Sequence, residues 1–354
     1  APLAVTLTLD DTAVLQYTGG TTGVSKGAQL LHKNLVANMM QVRELIVHIL
    51  DGEREIMIAP LPLYHIYAFT VSLVMSDMGH EMVLIPNPRD IPGFVKELSK
   101  HNFTSFAGLN TLFVALCNNK EFKALDFSHL KHTISGGMAL TEAAAGTWQQ
   151  VTGCQIQEAY GLTETSPAVS FNPYHDIRIG TIGKVVTGTE VKVIAEDGTD
   201  VGFNQEGELC VKGPQVMAGY WQRPEATAEV IDADGWFKTG DVAILAEDGF
   251  IRLVDRIKDM IIVSGFNVYP NEIDDIASQH PGILECAAVG VPHEVSGETV
   301  KLFVVKSDPS LTAADVIAHC REHLTAYKVP KEVEFKDDLP KTNVGKILRR
   351  ALRD

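Results

Sequence analysis

Tyr17-Thr18-Gly19-Gly20-Thr21-Thr22-Gly23-Val24-Ser25-Lys26-Gly27 follows the strand-like run Ala13 to Tyr17 and precedes a helical pattern from Asn34 to Ile49. Glycines let a backbone approach a ligand closely, threonine hydroxyls and backbone N–H groups donate to phosphate oxygens, and a lysine adds positive charge. The stretch reads as a phosphate cradle between a strand and a helix, which places the fold in the α/β class. It is not the GxxxxGK[ST] loop, because Lys26 stands between Ser25 and Gly27. Taken alone, it also reads as an ordinary Gly/Thr turn.

Outward from this loop, strand-length apolar runs alternate with amphipathic stretches. Ile56 to Ala59, Glu81 to Ile85 and Thr133 to Ser135 are strand-like, whereas Ile91 to His101 and Thr111 to Asn118 are helix-like. This alternation predicts a sheet flanked by helices over residues 1–176. From 177 to 257 short β-rich runs (Glu190 to Ile194, Gly207 to Val211, Val242 to Leu245, Phe250 to Leu253) are punctuated by Asp197-Gly198 and Asp248-Gly249, predicting a β-rich subdomain. After the charged pentapeptide Asp255 to Asp259 a fresh unit, 258–354, is expected. Its pattern is helix Asn271 to Gln279, strands Leu284 to Val291 and Val300 to Val305, and helix Ala313 to Leu324.

Composition bounds the function. The 354 residues accommodate two or three domains at roughly 100 to 200 residues each. A formal charge of -15 opposes nucleic-acid binding and nonspecific adhesion to anionic lipid. Five scattered cysteines without a CxxC pair read as reduced thiols of a cytoplasmic protein. The stretch Ile56 to Ser76, free of Asp, Glu, Lys and Arg, contains Pro60, Pro62 and His65 and reads as buried strand and turn, not a membrane span. The first residues have no initiator Met and no basic region ahead of an apolar core, so they are expected to be the interior of a longer chain.

Further groups carry chemistry. Tyr160-Gly161-Leu162-Thr163-Glu164 sets an aromatic ring, a hydroxyl and a carboxylate close together, suited to stacking, phosphate binding and Mg²⁺; alone it is also an ordinary loop with a capping Thr. Ser135-Gly136-Gly137-Met138 is a turn after a strand. Asp241 closes Asp234-Gly235-Trp236-Phe237-Lys238-Thr239-Gly240-Asp241 with a carboxylate able to accept two hydroxyls, and Arg256 offers donors; a turn cap and a surface base are the plainer readings. His65, in Pro60 to Phe69, is equally a satisfied core histidine or a group near a carboxylate substrate. Lys346 lies in Leu339 to Arg350, a basic stretch that alone reads as a solvated face.

Together, in this order, these motifs resemble the adenylate-forming superfamily of acyl-CoA synthetases, luciferases and peptide-synthetase adenylation domains. The usual family loop has Ser at Gly19 and Pro at Ser25. The resemblance implies the adenylate-forming enzyme fold, with a partial large N-terminal domain and a small α+β C-terminal lid. It also implies that about two hundred residues present in relatives precede the phosphate loop.

By resemblance, Thr18, Gly19, Gly20, Thr21, Thr22, Gly23 and Lys26 bind phosphates, Gly136, Gly137 and Met138 form the adenine turn, and Tyr160 stacks on adenine. Thr163 meets the α-phosphate, Glu164 ligates Mg²⁺, Asp241 and Arg256 hold the ribose, and Lys346 is the adenylation lysine. His65 serves the acyl site, Lys258 is the hinge of the lid, and Ser264 and Gly265 line the CoA tunnel.

Within the superfamily, PLPLYHIYA, NPRDIPG, GELCVKGPQVMAGYWQRPEAT and VSGFNVYPNEID are most similar to bacterial long-chain fatty acid–CoA ligases. The implied substrates are ATP, a fatty acid and CoA, with Mg²⁺ as cofactor. Ile66 to Leu73 contains no acid to pair an α-ammonium group, and Ile262 stands where luciferase-like relatives carry a second lysine. An acyl-AMP ligase serving a carrier protein, or an inactive nucleotide-binding fragment, are the alternatives. The resemblance leaves room for a homodimer and for peripheral contact with the inner face of a membrane.

Overall fold

The computed structural model describes residues 5–18, 25–52 and 54–353. Gly19, Gly20, Thr21, Thr22 and Gly23 lie outside the described residues. A seven-stranded sheet runs in the spatial order Glu81–Leu84, Ile56–Ala59, Ser105–Gly108, His132–Ser135, Ile156–Gly161, Ala168–Phe171, Lys184–Val185. The first five strands are mutually parallel, and the last two pairings are antiparallel. Alternate side chains feed two cores: Ile58 and Phe106 join a cluster around Trp148, while their neighbours Met57 and Ala107 join one with Val71 and Met75. Burial on both faces explains why the central strands are apolar without alternation.

The chain leaves Ile56–Ala59 for the edge strand Glu81–Leu84 and returns on the other side to Ser105–Gly108, which creates a switch point. Loops beyond the carboxyl ends of parallel strands gather there. One reading of the charge-free stretch needs correction: beyond strand and turn it contains a 12-residue helix, Ile66–Asp77. Its residues are apolar on nearly every side, so the segment lacks the one-sided periodicity that marks a surface helix.

The phosphate-loop stretch is also differently framed than expected. Thr12–Thr18 pairs antiparallel with Lys26–Leu31, Thr18 opposite Lys26, and only then does helix His32–Ile46 begin. The strands on either side of the loop pair as a hairpin, and a strand stands between the loop and the helix. Gly219–Tyr220 adds a third strand. A four-stranded antiparallel sheet follows, Glu190–Ile194, Glu206–Lys212, Phe237–Leu245, Ile251–Arg256.

The C-terminal segment has its own five-stranded sheet and its own core around Val268, Ile273, Leu302 and Val316. Glu332–Lys336 runs parallel to Gly297–Lys306, and the other pairings are antiparallel. All five cysteines are free and buried. Among the described residues no helix is long and apolar enough to cross a membrane.

Trp148 is fully buried, its ring 5.2 Å from that of Phe106 and 4.8 Å from that of Phe113, and its Nε1–H donates to Thr133 Oγ1 at 3.2 Å. Trp148→Ala is expected to destabilise the fold by about 3–5 kcal/mol through lost burial and a residual cavity, read as a lowered denaturant midpoint in urea titration.

Candidate active site

A cleft of about 1770 Å³ opens over the carboxyl ends of the parallel strands, with the four-stranded sheet and the C-terminal segment as its other walls. Strand His132–Ser135 delivers Gly136 and Gly137 to its floor. Gly137 has φ +88°, a left-handed backbone that glycine adopts without strain. A Cβ on Gly136 would stand 3.3 Å from the Tyr67 ring, so this turn admits little bulk. Met138 lines the cleft and packs partly against the Trp148 core.

Strand Ile156–Gly161 carries Tyr160, whose hydroxyl donates to Asp241 Oδ2 at 2.5 Å. Asp241 is 4% exposed and lies directly opposite Arg256 across two antiparallel strands, with Arg256 Nε 3.1 Å from Asp241 Oδ1. Burial, reinforced by the Asp241 charge, pushes the Tyr160 phenol far above its ordinary range, so it stays a donor. The pairing of Asp241 with Arg256 is therefore a backbone consequence: sheet register sets two charges side by side.

Thr163 and Glu164 sit on a single 3₁₀ turn, Thr163–Thr165, that ends in left-handed Ser166. Glu164 Oε1 accepts the Tyr220 hydroxyl at 2.8 Å, and the Lys26 ammonium lies 5.0 Å from the Tyr220 ring centre. Tyr220 thus links the base of the phosphate hairpin to the carboxylate; the sequence carries only a weak signal for it, the aromatic pair Tyr220-Trp221. Thr18 ends its strand at the cleft and donates from Oγ1 to Lys26 O at 3.4 Å. Among the described residues no cluster of three or more His, Cys, Asp or Glu is arranged to hold a metal. Glu164 is a single carboxylate of the kind that suits Mg²⁺, an ion that keeps most of its shell for waters and other oxygens.

His65 caps helix Ile66–Asp77, its Nδ1 accepting Tyr67 N–H at 3.3 Å, so any proton on the neutral ring sits at Nε2. Burial first, and the Lys346 charge second, lower its pKa to about 4. The ring is uncharged at neutral pH.

Lys346 comes from the far end of the chain. Thr342 and Lys346 form a tight turn, with Thr342 N–H donating to Lys346 O at 2.8 Å and Gly345 N–H to Thr342 O at 2.9 Å. Its ammonium lies 3.6 Å from where a Gly137 Cβ would stand. Burial and then the Arg256 charge lower its pKa to about 8, partly offset by Asp241.

Thus Thr18, Gly136, Gly137, Met138, Tyr160, Thr163, Glu164, His65, Asp241, Arg256 and Lys346 all line one cleft. Lys258, on the turn Ile257–Asp259, also lines it, its ammonium pKa lowered by burial and by Arg256. Ser264 and Gly265 do not. They form an exposed left-handed turn with φ 51° and 84°, anchored by Ser264 N–H on Ser296 O at 2.8 Å. Sequence reasoning passed over Glu158, a buried carboxyl near the Gly136-Gly137 turn that accepts Leu140 N–H at 3.3 Å. Burial, with Asp275 adding to it, raises its pKa to about 8.

The AMP-binding enzyme profile matches residues 1–221, and that of the AMP-binding enzyme C-terminal domain matches 272–346. The chain belongs to the AMP-binding enzyme family. A long-chain-fatty-acid–CoA ligase of Escherichia coli O6:H1 is 57% identical over 347 residues, covering 98% of this chain and 62% of that protein. The chain thus spans less than two thirds of the length of that relative. ATP-bound MatB from Rhodopseudomonas palustris superposes with a TM-score of 0.90 at 33% identity, over 100% of this chain and 70% of MatB. The apo form of MatB, with the same coverage, gives 0.77. This AMP-binding enzyme is therefore closer in shape to the ATP-bound form.

The seating of Lys346 is directly measurable. Labelling with an amine-reactive reagent, read by mass spectrometry across a pH series, is expected to give a titration midpoint near 8 for Lys346. Arg256→Gln should move that midpoint upward by removing a neighbouring cation. A midpoint at the ordinary lysine value of about 10.4 would contradict the enclosed position.

Proposed function

We propose that this AMP-binding enzyme acts as a long-chain fatty acid–CoA ligase. The observation that carries the reading is the convergence of Lys346, Asp241, Arg256 and Glu164 on one cleft, supported by 57% identity to a protein of that name. In the first step a fatty carboxylate oxygen bonds to the α-phosphorus of ATP as the bond to pyrophosphate breaks. In the second, the CoA thiol sulfur bonds to the acyl carbon, the acyl–phosphate bond breaks, and AMP leaves.

Asp241 accepts the ribose hydroxyls, held ready by Tyr160 and Arg256. The Tyr160 ring and the Gly136-Gly137-Met138 turn bound the adenine. Thr18, Thr163 and Lys26 face the phosphates, with Gly19, Gly20, Thr21, Thr22 and Gly23 completing the cradle. Glu164 would hold Mg²⁺, which when bound would supply positive charge against the phosphates. The Lys346 ammonium, already placed against the adenine turn, bridges carboxylate and α-phosphate oxygens where charge develops. Neutral His65 offers Nε2–H to orient the carboxylate.

An apolar branch of the cleft, lined by Val42, Val71, Ile134, Ala159, Ala168 and Phe171, suits an alkyl tail. The division into 1–176, 177–257 and a lid 258–354 belongs to the same proposal. Ser264 and Gly265 lie outside the cleft while Lys346 occupies it, so CoA attack calls for rotation of the lid about Lys258.

Two half-reactions test this in the native-length protein. Lys346→Ala is expected to lower fatty-acid-dependent ATP–pyrophosphate exchange by about 10²–10³-fold while leaving acyl-CoA formation from supplied acyl-adenylate nearly intact. Lys258→Pro should do the converse. Absence of exchange in the wild type with every carboxylic acid from six to eighteen carbons long would refute the reading.

A further inference from the structure

Two helices begin side by side under the C-terminal segment. Asn110–Cys117 follows strand Ser105–Gly108, and Glu142–Thr152 follows the glycine turn after the adjacent strand. Their starts are tied together: Asn110 Oδ1 accepts Thr141 N–H at 3.0 Å and the Thr141 hydroxyl at 3.2 Å. This platform receives the C-terminal segment at two points. Thr111, 9% exposed, donates from Oγ1 to Gly345 O at 3.0 Å. Asp275, on helix Pro270–Ser278, accepts Glu142 N–H with Oδ1 at 3.1 Å.

The first contact acts on the residue immediately before Lys346. Gly345 has φ 85°, and a Cβ there would sit 3.6 Å from both Leu109 Cδ1 and Thr111 Oγ1, so the turn lies flat on the platform. Lys346 N–H donates to Thr342 Oγ1 at 3.2 Å, which closes the turn from the other side. With the carbonyl of Gly345 held, the next side chain is directed at Gly137, whose strand is the neighbour of the one leading to Thr111. The second contact meets one of the N–H groups a helix start leaves without an internal partner; Thr141 satisfies another by accepting Ala144 N–H at 3.3 Å.

We propose that Thr111 and Asp275 are positioning residues of the adenylation step, docking the lid on the paired helix starts so that Lys346 reaches the reacting phosphate. The proposal rests on the ligase reading and adds to it a pair of residues on the cleft wall that act through the placement of Lys346. Both contacts are made here with Lys346 in the cleft, and on the proposed rotation of the C-terminal segment for CoA attack they serve the adenylation half-reaction.

The test uses Thr111→Val and Asp275→Ala in the native-length protein, with Thr111→Ser and Asp275→Asn as variants that keep a donor or acceptor. Each disruptive change is expected to lower acid-dependent pyrophosphate exchange by about five- to tenfold, the scale of one hydrogen bond. Acyl-CoA formation from supplied acyl-adenylate should stay within about twofold, and the conservative variants should recover most of the exchange. Equal losses in both half-reactions, or undiminished exchange, would overturn the proposal. A second readout is independent of activity. Fluorophores on cysteines introduced at exposed Lys120 and Glu322 report the distance between body and lid. Energy transfer in the presence of ATP should change in Thr111→Val and Asp275→Ala relative to wild type. If the wild type shows no exchange at all the ligase reading fails, whereas unchanged transfer in both variants sinks the docking role itself.

Discussion

The Asp241 carboxylate is the constraint on which the site depends. It is almost wholly buried, and a buried charge is tolerated only when paired and hydrogen-bonded. Tyr160 supplies a hydroxyl from the seven-stranded sheet and Arg256 a guanidinium from the four-stranded one. One carboxylate therefore locks the relative placement of two sheets. Arg256 is also the last residue of its strand, where the chain departs toward the C-terminal segment. Removing Asp241 would leave a buried phenol and a cation unpartnered at the point where all three parts meet.

The electrostatics of the cleft follow from that arrangement. Arg256 and Lys346 are close enough that each disfavours the other's charge, and Lys346 is held near pKa 8 mainly by burial. Lys26 stands at another edge over Tyr220. The cleft wall carries acids as well as bases, and Lys346 and Arg256 are the cations set beside Gly137 and Asp241.

Much of this was legible in the sequence, and the misses have physical causes. Asp241, Arg256, Tyr160 and Lys346 stand out in the sequence only through the ordered set of family-like motifs, since alone they read as a turn cap, a surface base, a loop residue and a solvated lysine; the structure brings the four to one cleft. The hairpin framing of the phosphate loop was not legible, since Lys26–Leu31 contains Gly27 and Ala28 and shows little strand preference. Helix Ile66–Asp77 lacked amphipathic periodicity. The lid strands Ile261–Val263 and Phe266–Val268 are three residues each, too short for a pattern. Tyr220, Thr111 and Asp275 matter through contacts between distant segments, and such contacts leave no local signal.

On the proposed function Asp241 organises an acyl-adenylate site, and the binding of a stable mimic reports on that role most directly. Isothermal titration of the native-length protein with a long-chain acyl-sulfamoyl-adenosine should show tight binding that Asp241→Ala weakens by about a hundredfold. That is the loss expected for two hydrogen bonds from ribose to a charged acceptor. Equal affinity in the two proteins would contradict the account.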